Sequence, residues 1–548
     1  MIEATMMDFP LTTQMILRRG ARLFAASTIA TFDGEQLHSL TYAEVAGRAA
    51  RLAAALQALG MEPGERVATL CWNTHEHLEA YLAIPAMGYV LHTLNLRLFP
   101  DQIAYIANHA DDRAIIVDSD LLELLGSFAG DVPGLRHVIV TDGDGDGALS
   151  GTGIAVHSLE ALIAGVEPVT EWPDLDERSA AAMCYTSGTT GNPKGVAYSH
   201  RSIFLHSMAS MGGDAFGINS RDRALMMPPM FHANAWGLPY SCWFAGSDMI
   251  MPSRYLQPDP MARIIELTHP TLTMTVPTIL NDLLQRHQRE PMDMASFRAI
   301  VVGGSPVSRH LIEQVKKAWG VDVLQGWGLT ETSPMCVLSA PPRGTSDDNQ
   351  AYWRAKSGRP VMGVEVRIVD DADAPVLEDG EAVGRLQVRG PWVTAGYHRA
   401  PATTTADGWF DTGDVGTIDP LGYVQVTDRT KDLIKSGGEW ISSVDLENEI
   451  AALPGIAEAA VIATADPRWE ERPLAIIVCD GADDPDYAVL RTLLKDRMAK
   501  FMIPEYWAKV PSLPKTSVGK FDKKRLRKEV TAGHMDIVYE LSFAGEEC

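Results

Sequence analysis

Two spacings of apolar residues take turns along this chain, and their order predicts its elements. Thr41-Tyr-Ala-Glu44 has the form of a capping box, and the Ala- and Leu-rich stretch behind it keeps helical spacing until Gly60 stops it. Pro63-Gly64 marks a turn, after which 67–71 reads as a buried strand. Helical spacing over 76–84 leads to an apolar run at 89–94, and 101–109 followed by 115–117 repeats the order. Helix and strand in turn predict an α/β protein with parallel, helix-covered sheets.

The pattern changes after Asp428. Ser442-Ser-Val-Asp445 caps a short helix, apolar strands follow at 459–464 and 474–478, and Leu490, Leu493, Leu494 and Met498 mark an amphipathic helix. We therefore expect a large domain over 1–428, a hinge at 429–432 and a small α+β domain over 433–548. Asp142-Gly-Asp-Gly-Asp-Gly147 opens like a calcium loop. Gly153 stands where such a loop needs its bidentate carboxylate, so the run reads as a surface turn.

Composition adds mainly exclusions. The net charge of −24 argues against a nucleic-acid or anionic-membrane binder, though not against a small anionic substrate held by a local field. No apolar run reaches the roughly 18 residues of a membrane-spanning helix, and the acidic start with Glu3 and Asp8 does not read as a secretion signal. Cys71, Cys184, Cys242, Cys336, Cys479 and Cys548 are scattered without metal-ligand spacing, as reduced thiols of a cytoplasmic protein would be. Oligomeric state stays open, a homodimer included.

The chemistry concentrates first in Tyr185-Thr-Ser-Gly-Thr-Thr-Gly-Asn-Pro-Lys-Gly-Val196, behind a short apolar strand at 181–184. Its glycines let the backbone turn N–H groups toward a ligand, while hydroxyls and Lys194 add donors, so polyphosphate is the natural guest. The common nucleotide P-loop is excluded, because Lys194 precedes a glycine rather than following one.

This segment resembles the phosphate-binding signature of the adenylate-forming superfamily, which includes acyl-CoA synthetases, luciferases and peptide-synthetase adenylation domains. Its companions follow in the expected order. The resemblance implies phosphate contacts from Thr186, Ser187, Gly188, Thr189, Thr190, Gly191 and Lys194, and an adenine-facing loop at Gly303-Gly304-Ser305-Pro306. Gln325-Gly326-Trp327-Gly-Leu-Thr330-Glu331 is similar to the adenine-and-magnesium segment. It implies Trp327 against the base, Thr330 near the α-phosphate, and Glu331 with Thr186 as metal ligands. Most members carry tyrosine at the position of Trp327, so stacking is expected to survive and a phenolic hydrogen bond to be lost. Asp414 of Thr412-Gly-Asp414 is implied as the ribose acceptor, Arg429 as a second ribose contact, and Lys431 as the hinge.

Lys435-Ser-Gly-Gly-Glu-Trp440 resembles the form found in CoA ligases, with Lys435 and Trp440 approaching the nucleotide. Lys520 of Pro514-Lys-Thr-Ser-Val-Gly-Lys520, not Lys515, is the implied catalytic lysine. Phe231-His232-Ala-Asn-Ala-Trp236 resembles the segment of fatty-acyl and methylmercaptopropionate ligases, with His232 beside the carboxylate and Trp236 gating the acyl channel. Small residues after it (Gly237, Ser241, Cys242, Ala245, Gly246) suggest room for a tunnel.

The implied activity is an ATP-dependent acyl-CoA ligase using ATP, Mg²⁺ and coenzyme A on medium- to long-chain fatty acids. A ligase for a short methylthio or aromatic acid, and an adenylation enzyme with another acyl acceptor, are the alternatives.

Overall fold

A computed structural model of the chain describes residues 4–145, 147, 149–186, 192–429, 432–436, 439–481, 484–495, 497–516 and 521–541, with the side chains of 439 and 440 left out. The first sheet has seven strands, in the order Ala155–Ser158, His137–Val140, Asp112–Val117, Arg66–Leu70, Val90–Thr93, Ala180–Tyr185 and Gly195–Ser199. All its pairings are parallel except the last. The second sheet has nine strands, and a parallel run through Arg223–Leu225, Leu272–Thr275, Ala299–Val302 and Val323–Gly328 forms its centre.

Strand alternation builds three apolar layers from these two sheets. Ile116 and Val301 turn inward to one shared core, which also takes in the helices Tyr42–Ala58, His75–Ala86 and Leu238–Ala245. Their neighbours turn outward, Ile115 and Val117 to one outer helix layer and Ile300 and Val302 to the other. Helix His75–Ala86 lies in the shared layer and is buried on every face from His77 to Ala86, as an all-round apolar helix must be. The Thr41–Glu44 capping box forms as expected, with Thr41 accepting from the Glu44 N–H and helix Tyr42–Ala58 behind it.

A four-stranded antiparallel sheet (Glu365–Val369, Gly384–Arg389, Phe410–Ile418, Val424–Arg429) follows. The small C-terminal unit is a six-stranded sheet with the helices Ser443–Ala451, Tyr487–Lys495 and Lys523–Thr531. Its first helix is capped by Ser442, which accepts from the Asp445 N–H at 3.1 Å. Asp428, at the end of the preceding sheet, receives the Ser443 N–H at 2.7 Å and so ties the two parts together. The chain is therefore α/β, with a large N-terminal domain and a smaller C-terminal one. Among the described residues no helix is long and apolar enough to cross a membrane.

Small residues after Trp236 do not open the tunnel expected of them. Cys242 and Ala245 belong to the core, the Ser241 hydroxyl donates to Gly237 O at 2.8 Å, and Gly246 lets the Phe24 ring approach its backbone. Their size serves close packing of helix Leu238–Ala245, and only Gly237 of the five borders the interior void described below.

Candidate active site

The site gathers where strands of both large sheets end, the usual ligand position in an α/β fold. Ser187, Gly188, Thr189, Thr190 and Gly191 of the phosphate loop, Lys431 and Lys520 lie outside the described residues, as does the side chain of Trp440. The neck of the phosphate loop is well defined. Tyr185 pairs with Gly195 in antiparallel register, Thr186 N–H donates to Lys194 O at 2.9 Å, and Lys194 N–H donates to the Thr186 hydroxyl at 3.3 Å.

Lys194 then meets a residue that sequence reasoning missed. Its ammonium stands 4.7 Å above the ring of Tyr397, whose hydroxyl donates to Glu331 Oε1 at 2.7 Å. Burial, together with the nearby Glu331 charge, pushes the Tyr397 phenol well above its ordinary pKa, so it stays a donor. Thr394 N–H donates to Glu331 O at 2.8 Å, and the Tyr198 hydroxyl donates to Thr330 O at 2.7 Å. Thr186, Lys194, Thr330 and Glu331 thus come together around Tyr397. No local spacing flags Tyr397, because the chain brings it in from a loop 66 residues beyond Glu331.

A second cluster joins three of the implied nucleotide residues. Trp327 Nε1–H donates to Asp414 Oδ2 at 2.8 Å, and Arg429 Nε lies 3.4 Å from Asp414 Oδ1. The indole N–H thus makes a hydrogen bond of its own, which the expected loss of a phenolic one leaves out of account. Gln325 is 3% exposed, and its side-chain oxygen accepts from Val307 N–H at 2.8 Å. That bond anchors the chain two residues after the Gly303–Gly304–Ser305 loop, in which Gly304 has φ +81°.

Trp236 abuts the same loop: a Cβ at Gly303 would lie 3.3 Å from Trp236 Cη2. Its backbone is unusual. Ala233, Asn234, Ala235 and Trp236 have φ of 43°, 51°, 47° and 58°, a left-handed turn of four non-glycine residues. Each such residue costs about 1–2 kcal/mol, so the surroundings must impose the turn. Buried Asn234 does part of this, accepting from Cys184 Sγ at 3.1 Å and Tyr81 Oη at 3.4 Å. His232 precedes the turn with its N–H on Pro229 O at 3.0 Å. Lys435 sits exposed on strand Ile434–Ser436 of the small sheet, in register with Trp440 of the edge strand Glu439–Ile441.

Behind the turn is a small interior void of about 10 Å³, room for no more than a water molecule, bordered by Tyr198, Ile203, His206, Asn234, Tyr240 and Ser333. Its hydroxyls are spent on the protein: Tyr240 donates to Tyr81 O at 3.1 Å and Ser333 to Trp392 O at 2.9 Å. Burial pushes the His206 imidazole down to about 4, so it is neutral near pH 7. The wall carries no charge.

Comparison with known proteins agrees with this geometry. Residues 17–398 match the family model described as AMP-binding enzyme, and 445–520 match the AMP-binding enzyme C-terminal domain. The chain belongs to the AMP-binding enzyme family. It is 41% identical to a long-chain-fatty-acid–CoA ligase of Thermus thermophilus, over 96% of this chain and 97% of that one. It is 39% identical to a 3-methylmercaptopropionyl-CoA ligase of Ruegeria lacuscaerulensis, over 96% and 98%. Among solved structures, an anthranilate CoA ligase bound to anthranoyl-AMP superposes with a TM-score of 0.86 at 26% identity, covering 96% of this chain and 99% of that one.

Proposed function

We propose that this protein is an ATP-dependent, AMP-forming acid–coenzyme A ligase whose acid is a medium- to long-chain fatty acid. The 41% identity to a long-chain-fatty-acid–CoA ligase, along nearly the whole of both chains, carries this reading of the acid.

A carboxylate is a poor acyl donor because its leaving group would be oxide. Attack on the α-phosphorus of ATP gives the mixed anhydride acyl-AMP and releases pyrophosphate. The coenzyme A thiol then attacks the acyl carbonyl, releasing AMP and a proton. The first step brings anions together, so the residues chiefly neutralise and orient charge. Lys194 and the loop amides hold the polyphosphate, Thr330 the α-phosphate, His232 the carboxylate, and Lys520 bridges acid and nucleotide. Trp327 faces the adenine from one side and Gly304–Ser305 from the other, while Asp414 and Arg429 hold the ribose and Lys435 and Trp440 approach from the small domain. The carboxylate of Glu331 and the hydroxyl of Thr186 suit a hard divalent cation such as Mg²⁺, which takes oxygen ligands and would offset phosphate charge. The small domain turns about 429–432, centred on Lys431, between the two steps. The unbridged thiols of Cys71, Cys184, Cys242 and Cys336 support a cytoplasmic location.

An acid panel scored by thioester formation with ATP, Mg²⁺ and coenzyme A tests the reading. Straight-chain acids of medium or greater length should lead, and a preference for 3-methylthiopropionate or an aromatic acid would replace the fatty-acid assignment. Trp236→Ala should narrow the preference for long over short acids about tenfold in kcat/KM. An unchanged chain-length profile would remove Trp236 as the gate. Tyr397→Phe deletes the donor to Glu331 but keeps the ring under Lys194. It should lower kcat/KM for ATP about tenfold, the scale of one hydrogen bond to a charged group. A pyrophosphate-release assay equal to wild type would reduce Tyr397 to packing.

A further inference from the structure

The cluster of Trp327, Asp414 and Arg429 has a geometry that plain base stacking does not require. Trp327 lies on strand Val323–Gly328 of the nine-stranded sheet, and Asp414 on strand Phe410–Ile418 of the four-stranded one. Asp414 is 3% exposed, and each of its carboxylate oxygens faces a different donor. Arg429 comes from the adjoining strand, directly opposite Asp414 in register. The indole N–H comes from another sheet, at 2.8 Å. A carboxylate held at both oxygens from two sheets has little freedom to rotate, and such preorganisation is worth most in a buried site.

We infer that Trp327 is a positioning residue for sugar recognition: its ring covers the base while its N–H sets the rotamer of the carboxylate that accepts from the ribose hydroxyls. This rests on the reading of Asp414 as the ribose acceptor. One side chain then links base and sugar, so a nucleotide is held by both features or loses both. A phenylalanine in its place keeps a ring for the base and leaves Asp414 Oδ2 without its indole donor.

The test measures kcat/KM in pyrophosphate release for ATP and for 2′,3′-dideoxy-ATP, with wild type, Trp327→Phe and Asp414→Asn. Wild type should prefer ATP. Trp327→Phe should lose about tenfold on ATP, the scale of a hydrogen bond to a charged group, and nothing further on the dideoxy nucleotide. The loss should lie in KM more than in kcat, because the sugar is remote from the reacting phosphorus. Equal losses on both nucleotides would overturn the inference and leave Trp327 as a stacking residue. If Asp414→Asn erases the preference while Trp327→Phe retains it, the inference fails and the ribose assignment stands. If wild type shows no preference, or Asp414→Asn keeps it, the ribose assignment fails and takes the inference with it. Should Trp327→Phe not fold, replacing Trp327 by 3-benzothienylalanine removes only the N–H from the same bicyclic shape, and the same selective loss is expected.

Discussion

Lys520→Ala stops formation of acyl-AMP and spares formation of the thioester from supplied acyl-AMP. The first half-reaction pushes a carboxylate toward an α-phosphate that is itself anionic, and the charge between them must be offset where they meet. Lys194 stands on the phosphate-loop side, over Tyr397, and the resemblance implies Lys520 of the small domain at the meeting point. Loss of one such group costs about 10²–10³ in rate, read as exchange of labelled pyrophosphate into ATP. The second half-reaction starts from a neutral acyl carbonyl and departing AMP, in the proposed mechanism after the small domain has turned, and should stay within about twofold of wild type. Lys515→Ala is the control. Lys515 is ion-paired with Glu458 at the surface, and exposed pairs contribute about 0–1 kcal/mol. Equal losses in both half-reactions for Lys520→Ala would show that it acts on folding or on the acid alone.

Local signals in the sequence carried most of the fold. Thr41 and Glu44, or Ser442 and Asp445, stand three residues apart, and the cap needs nothing from the rest of the chain. The strand runs at 67–71 and 115–117 announce themselves because both faces are buried, as parallel sheets require. The site was legible where motif residues act through their own loop, as at Thr186 and Lys194. It was illegible where distant segments meet. Tyr397 reaches Glu331, and Trp327 reaches Asp414, only after separate sheets have packed, so neither bond follows from spacing. The left-handed turn at Ala233–Trp236 was hidden for a related reason: no glycine marks its first four positions, and tertiary contacts such as those of Asn234 impose it. The small residues after Gly237 misled because size alone cannot tell a lining position from a packed one.

Gly328→Ala should nearly abolish adenylation while leaving most of the fold in place. A Cβ at Gly328 would lie 1.6 Å from the carbonyl oxygen of Pro334 and 3.3 Å from Thr332 Oγ1. That loop closes on itself, with Leu329 N–H donating to Thr332 Oγ1 at 2.9 Å and Thr332 Oγ1 donating to Pro334 O at 2.5 Å. A methyl group can enter only if the turn moves outward, and the turn carries Thr330 and Glu331, the residues proposed to face the α-phosphate and the metal. Overpacking of this kind costs about 1–3 kcal/mol in stability. The functional cost is larger, because a displacement near 1 Å at a positioning group lowers rates about 100-fold. Gly326→Ala separates the two effects. Its Cβ would meet nothing closer than Leu338 Cδ1 at 3.5 Å, an ordinary contact, so its stability should match wild type whatever the nucleotide does. A Gly328→Ala protein that melts as wild type and still exchanges pyrophosphate would mean that the Gly328–Pro334 turn does not position Thr330 and Glu331 for the reaction.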